Sequence, residues 1–271
     1  MPYRLATDPG RTDRDNEDFA AVSTNAAVLL DGAGAPEHID SGCVHGVAWY
    51  TRTLGALLLA TTRSDGKLAD ALAEAITATA SLHSHTCDLD NPDTPSATVV
   101  LVRLTGEHLD YLVLSDSVLL LDVRGADPVA ITDDRLGQVS RELRRHTPPS
   151  AGHEQGQERR DYETGLSKRR NASGGFWVAA ATPHSAYEAI TGSVPLADLD
   201  GFALLSDGAS RLTDRFGLAT WRATLDLLAA EGPRALIDQV RHAENSDNDG
   251  ERWPRSKHHD DATAAVWRPG N

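Results

Sequence analysis

The sequence predicts an α+β layered domain in which helices cover the outer faces of one or two largely antiparallel sheets. Two observations carry this. Short apolar or β-branched runs follow one another too closely for helical crossovers, and the helical periodicities come in pairs between them. A third feature points to chemistry: carboxylates recur where the apolar runs stop.

The expected strands are Ala27 to Leu30, Thr98 to Leu104, Leu109 to Leu114, Val118 to Val123, Phe176 to Ala179, Phe202 to Leu205 and Thr263 to Trp267. Only Thr105, Gly106, Glu107 and His108 separate the second from the third, and the fourth begins three residues later. A parallel crossover needs a dozen or more residues, so this region is expected to be an antiparallel meander. Helices are expected over Cys43 to Thr61, Leu68 to Leu82, Leu218 to Ala230 and Pro233 to Ala243, with Pro233 suited to a first turn. The polar stretch from His146 to Asn171 reads as a mobile surface insertion or flap.

A chain of 271 residues, 40% of them apolar, can bury one large core, and no repeat or linker divides it, so one domain over 1–271 is expected. Acidic residues outnumber basic ones by 40 to 26, for a formal charge of -14. That excess repels nucleic acid and anionic membranes, so neither is expected as a partner. The longest apolar run, Leu54 to Ala60, is far short of the roughly 20 residues that span a bilayer, and the opening segment has no signal-peptide core. A cytoplasmic protein is expected. The two cysteines, Cys43 and Cys87, are too few and too far apart in sequence for a zinc cluster or a disulfide framework, and two buried thiols are anticipated.

Asp31 follows Ala27-Val28-Leu29-Leu30 and precedes Gly32; Asp207 follows Phe202-Ala203-Leu204-Leu205-Ser206 and precedes Gly208; Asp260 and Asp261 lead into the last strand; Asp116 lies between two strands. If these strands share one edge, their carboxylates converge, which is tolerable only when they are protonated or neutralised by a cation. Oxygen ligands favour magnesium or manganese. Glycine after Asp31 and Asp207 allows a sharp turn and brings the Gly32 carbonyl within reach of a cation. One Asp-Gly pair is an ordinary turn; two, with Asp260-Asp261, make a shared site the better reading.

In order, Asn16-Glu17-Asp18, Leu30-Asp31-Gly32-Ala33-Gly34, Pro95-Ser96-Ala97-Thr98, Ser115-Asp116-Ser117, Ile131-Thr132-Asp133-Asp134, Ser206-Asp207-Gly208 and Asp260-Asp261-Ala262-Thr263 resemble the motifs of bacterial metal-dependent type 2C Ser/Thr protein phosphatases. The likeness spans Thr7 to Trp267. It implies a four-layer α-β-β-α sandwich of two stacked, mainly antiparallel sheets flanked by helices. It further implies two manganese or magnesium ions, with Asp31 bridging them, Asp207 and Asp260 completing one, Glu17 and the Gly32 carbonyl holding the other, and Asp18 acting nearby. Asp116 with Asp207 would hold a third ion. The implied substrate is a phosphorylated protein, hydrolysed by a metal-bridging water.

This chain departs from the family pattern in three places. The phosphate-gripping Arg expected four residues before Glu17 is Asp13, which leaves Arg14 and Arg11 as phosphate-binding candidates. The Gly-Asp-Ser-Arg turn reads Ser115-Asp116-Ser117-Val118. Position 33, a His in some members, is Ala33. These departures motivate an alternative, a weak or inactive relative that uses the fold as a binding or regulatory module. His258 and His259, adjacent on an extended segment, point to opposite sides and are not expected as ligands. His83 and His85 are expected to face solvent, and His45 to pack on an apolar helix. Ser206 lacks a G-x-S-x-G nucleophile elbow. The run Arg141 to Arg145 reads as a solvated helix face.

Overall fold

The computed structural model describes residues 3–36, 38–63, 65–146, 154–255 and 257–269. Strands are β1 (Tyr3–Asp8), β2 (Phe19–Val22), β3 (Ala26–Ala33), β4 (Ser96–Thr105), β5 (His108–Leu114), β6 (Val118–Val123), β7 (Val129–Ile131), β8 (Ile190–Pro195), β9 (Leu199–Leu205) and β10 (Ala262–Trp267). Helices are α1 (Val47–Thr61), α2 (Leu68–His83), α3 (Arg135–His146), α4 (Glu154–Ser167), α5 (Asp207–Asp214), α6 (Trp221–Ala230) and α7 (Pro233–Asn245). The strands form two five-stranded antiparallel sheets, ordered β1-β10-β9-β6-β7 and β2-β3-β4-β5-β8.

Alternation along the strands builds the layers, because successive side chains leave opposite faces of a sheet. Ala27, Leu29, Val100, Val102 and Val113 of one sheet meet Leu119, Leu121, Phe202, Leu204 and Ala265 of the other in the central core. Their neighbours Val28, Leu30, Val99, Leu101, Leu112 and Leu114 face α1 and α2 through Leu54, Leu58, Leu72 and Ile76. On the far side, Leu120, Ala203, Leu205, Ala264 and Val266 meet Leu212, Leu225, Leu228, Leu236 and Val240 of α5, α6 and α7. Strands buried on both faces read as unbroken apolar runs, and that is why the central ones were legible. The α-β-β-α order is the expected one.

Several expectations are corrected. The meander stops after β5: β4 and β5 pair through the Gly106 turn, whereas β6 crosses to the other sheet and pairs with β9 and β7. Ser115 takes a left-handed conformation, φ 69°, which turns the chain out of the first sheet at Asp116. The segment Phe176 to Ala179 makes only isolated bridges, at Phe176 and Ala179. Phe176 and Val178 instead pack with Val139 in a small separate cluster, while Trp177 and Ala179 join the core beneath α1 and α2. Four strands fall outside the expected set: β1 and β8 lack continuous apolar runs because one face or edge is open to solvent, and the apolar runs of β2 and β7 are only four and three residues long.

The segment expected as a flap carries α4, which lies against α3; residues 147–153 of that expectation lie outside the described residues. Arg141 to Arg145 do lie on a helix, α3, where Arg144 stacks over the Tyr162 ring at 4.6 Å. The first helix begins at Val47 rather than Cys43, after Gly46 at φ 79°, so His45 sits in a loop and is exposed. His83, expected in solvent, is 2% exposed, and both cysteines, expected buried, are half-buried. Among the described residues no helix is long and apolar enough to cross a membrane.

Candidate metal centre at the polar end of the sandwich

The same alternation that fills the space between the sheets with leucine and valine turns polar at one end. On β3 the inward row runs Ala27, Leu29, Asp31; on β4 it runs Val102, Val100, Thr98; on β9 and β10 it continues to Ser206 and Thr263. Thr98 pairs in register with Asp31, and its hydroxyl lies 2.6 Å from that of Ser117 across the gap between the sheets. Thr7 and Thr263 meet similarly at 2.7 Å. Asp31 is therefore at the inward face of its sheet by register, where the core ends.

Five chain segments bring carboxylates to this place. The Asp207 amide, at the start of α5, donates to Asp31 Oδ2 at 3.2 Å and so ties the two sheets together. Asp261 accepts from the Gly10 amide at 2.7 Å and the Glu17 amide at 2.6 Å, folding the loop before β2 over the site. Burial drives the Asp31 carboxyl well above the usual carboxylate range, and the charges of Asp18, Asp207, Asp260 and Asp116 add to it. Burial raises Asp18 to about 8, the nearby Thr263 and Ser206 hydroxyls opposing and Asp261 and Asp207 reinforcing. Burial and Asp207 raise Asp116 to about 7, and burial and Asp260 push Asp207 up. Glu17 is raised by burial, with Lys257 and Arg14 opposing and Asp261 and Asp260 reinforcing. Asp18 is 6% exposed, and neither of its carboxylate oxygens has a hydrogen-bond partner.

The structure brings Glu17, Asp18, Asp31, Asp116, Asp207 and Asp260 near one another and gives the glycines a different role. Gly32 lies inside β3 paired with Ala97, and Gly208 lies inside α5; neither makes a turn. A Cβ at Gly32 would stand 2.6 Å from the Glu17 carbonyl oxygen, and one at Gly208 would overlap the Asp261 carbonyl. Both are glycine because acid-bearing backbone passes against them.

The two arginine candidates separate. Arg11 is held by Asp13 in an exposed pair, at 2.6 and 2.8 Å. Arg14 lines a cleft of about 330 Å³ together with Glu17, His45, Trp49 and Arg52. His258 and His259 contact Asn248 and Asn245, each at 2.9 Å.

Sequence reasoning missed the cations of the site. Arg211, one turn beyond Asp207 on α5, donates to Asp260 Oδ2 at 2.6 Å and to the fully buried Glu244 at 2.7 Å. Lys257 Nζ lies 2.6 Å from Asp260 Oδ1, and although its side chain is more than half exposed, Asp260, Asp31 and Asp207 hold its ammonium well above the usual lysine range. The i, i+4 spacing of Asp207 and Arg211 was a usable signal; Glu244 showed only its i, i+3 pairing with Arg241, because Arg211 is distant in sequence.

Every acid expected to bind metal contributes oxygen, and the unpartnered oxygens of Asp18 with the raised protonation of Glu17, Asp18, Asp31, Asp116 and Asp207 mark a site with more negative charge than its own cations offset. That donor set fits hard divalent ions.

The sequence profile of the family described as Protein phosphatase 2C matches residues 11–241. None of the curated proteins compared with the chain matches it in sequence. Among solved structures, the Mycobacterium tuberculosis serine/threonine phosphatase PstP/Ppp superposes with a TM-score of 0.59 at 18% identity, covering 99% of this chain and 98% of that one. The PstP catalytic domain in complex with two manganese ions gives 0.58 at 18% identity over 98% and 96%. PppA, described as a key regulatory component of the type VI secretion system in Pseudomonas aeruginosa, gives 0.58 at 19% identity over 99% and 98%. At such identities the likeness is one of fold.

Proposed function

Because the chain belongs to the protein phosphatase 2C family, we propose that its carboxylate cluster hydrolyses phosphoserine and phosphothreonine monoesters of proteins in a reaction that requires divalent metal. The observation that carries this reading is the convergence on Asp260 of Glu17, Asp18, Asp31, Asp116 and Asp207, whose protonation is pushed upward, since a surface meant only for binding has no need to bury so many acids at one point.

Asp31, Asp207 and Asp260 would hold one manganese or magnesium ion and Asp31, Glu17 and the Gly32 carbonyl a second, with Asp116 and Asp207 available to a third. Bound there, such ions supply a hydroxide near neutral pH and electrophilic stabilisation of the phosphoryl oxygens. The chain's own groups do the positioning. Asp261 fixes the Glu17 backbone. Arg211, anchored by Glu244, fixes one oxygen of Asp260. Arg14, at the cleft beside Glu17, attracts the phosphate dianion, and Arg52 adds charge at the same wall. With alanine at position 33, no side chain there donates a proton to the departing alkoxide, so that proton comes from solvent or from another side chain.

A second reading has its own observation. Lys257 stands among the carboxylates and pairs with Asp260, so the site carries a cation of its own, as a metal-poor binding module would. One assay separates the two: p-nitrophenyl phosphate hydrolysis with added manganese, in the native protein and in Asp31→Asn, Asp207→Asn and Lys257→Met. An enzyme loses at least about a hundredfold in turnover with either Asn variant, on the order of 3 kcal/mol of transition-state stabilisation. Turnover that both Asn variants retain refutes the site; no turnover by the native protein, with activity emerging in Lys257→Met, favours the module.

A further inference from the structure

About one helix turn before α1 and just past the end of α2, four soft ligands meet that the proposed phosphatase chemistry does not use. Cys43 and His45 lie in the loop leading to α1; His83 is the last residue of α2, and Cys87 follows in the next turn. Cys87 Sγ is 3.3 Å from Cys43 Sγ and 3.3 Å from His45 Nδ1; Cys43 Sγ is 3.7 Å from His83 Nδ1 and 4.0 Å from His45 Nδ1. All four ligand atoms lie within 4.8 Å of one another. From the geometry we infer that Cys43, His45, His83 and Cys87 form a structural zinc site of the Cys2His2 type, separate from the carboxylate centre.

Zinc held tetrahedrally, at about 2.3 Å from sulfur and about 2.1 Å from nitrogen, spaces its ligand atoms about 3.4 to 3.8 Å apart. These four separations bracket that range and the other two lie within 4.8 Å, so closure around an ion needs shifts of about an ångström or less. Two sulfurs and two imidazole nitrogens in a closed four-ligand set select zinc over the hard ions suited to the carboxylates. The surroundings fit as well. His83 is buried at 2% exposure, its Nε2 has no partner, and its Nδ1 faces only sulfur. A metal at Nδ1 would take the lone pair that now faces only a thiol, with Nε2 left as the N–H side of the ring. Trp49 stacks on His45 at 4.4 Å and lies 4.9 Å from His83, holding both rings in orientation. Backbone bonds already close the same junction, with the Asp88 amide donating to the Gly42 carbonyl at 2.8 Å.

Uptake of zinc breaks two S–H bonds, releases two protons to solvent and forms two Zn–S and two Zn–N bonds with no change of oxidation state. The ion pins the end of α2 to the loop that starts α1. That loop delivers Val47, whose side chain packs on Gly32 beside Asp31, and His45, which lines the cleft of Arg14 and Glu17. The zinc site therefore braces one wall of the carboxylate centre.

The test is titration of cobalt(II), then zinc, into the metal-stripped, reduced full-length chain. One cobalt per chain is expected to give a thiolate-to-metal charge-transfer band with tetrahedral d–d absorption, displaced by zinc. The carboxylate centre has no sulfur, so Asp31→Asn keeps the band whether or not the phosphatase reading holds. Cys43→Ser and Cys87→Ser abolish it, and the exposed His45→Ala, chosen because it leaves the core intact, weakens zinc affinity by more than about a hundredfold, beyond what loss of an outer partner does. No charge-transfer band in the native chain overturns the inference, as does a band unchanged in both Cys→Ser variants. A Cys43–Cys87 disulfide in protein prepared under reductant, seen as a mass lower by two hydrogens with no zinc bound, also overturns it.

Discussion

Replacing Asp18 by asparagine should make the metal-free protein more stable in mild alkali. Asp18 is buried with both oxygens unpartnered, and its carboxyl is pushed up to about 8, against about 4 in an unfolded chain. Between these values the folded state keeps a proton that the unfolded state has released, so unfolding expels a proton and rising pH favours it. The stability associated with protonated Asp18 is full below about pH 4 and is lost progressively up to about pH 8. At about 1.4 kcal/mol per pH unit the loss is on the order of 5 kcal/mol. Asp116, raised to about 7, with Asp31 and Asp207, pulls in the same direction. Asparagine has the neutral shape without the titration, so the loss attributed to Asp18 disappears. Urea unfolding of the native chain and Asp18→Asn, both stripped with the same chelator, at pH 5 and pH 8, reads this directly. The native midpoint should fall between the two pH values while that of Asp18→Asn falls much less, and manganese at pH 8 should restore the native protein, because bound ions replace the missing proton. Native stability that rises over this interval, or identical pH dependence in the two proteins, would refute the account of the site as an excess of buried negative charge.

Glu244→Ala should destabilise the protein by about 3–5 kcal/mol in denaturant melts, because it strips Arg211 of its buried partner and leaves that guanidinium shared only with Asp260. Gly208→Ala should cost about 1–3 kcal/mol by overpacking and lower manganese affinity measured by calorimetry, since the Asp261 carbonyl must retreat from the new methyl group. Arg14→Ala should raise KM for p-nitrophenyl phosphate with kcat little changed, whereas Arg11→Ala should leave both near native values, because Arg11 is committed to Asp13 outside the cleft.

The central strands, the two helix pairs and the acids at strand ends were legible because each is local: burial on both faces leaves an unbroken apolar run, and an acid placed one step past such a run, as Asp31 is after Leu30, inherits the strand's direction. The family motifs added the layer order. Edge strands such as β8 escaped because half-solvated elements have no strong pattern, α5 because it is short and mixes Gly, Ser, Thr and charged residues although mostly buried, and the exit of β6 into the second sheet rests on one unusual residue, Ser115.

What the sequence determined by itself is the inventory: which runs are buried, which acids stand at their ends, and that oxygen ligands for hard cations are in surplus. Only the tertiary structure decided which groups meet. Lys257 and Arg211 came to Asp260, Arg14 rather than Arg11 came to the cleft, and Cys43 met Cys87 with two histidines although 44 positions separate the thiols. The physical reason is that side-chain chemistry acts over a few ångströms, and chain separation says nothing about distance until the two helices pack and the sheets stack.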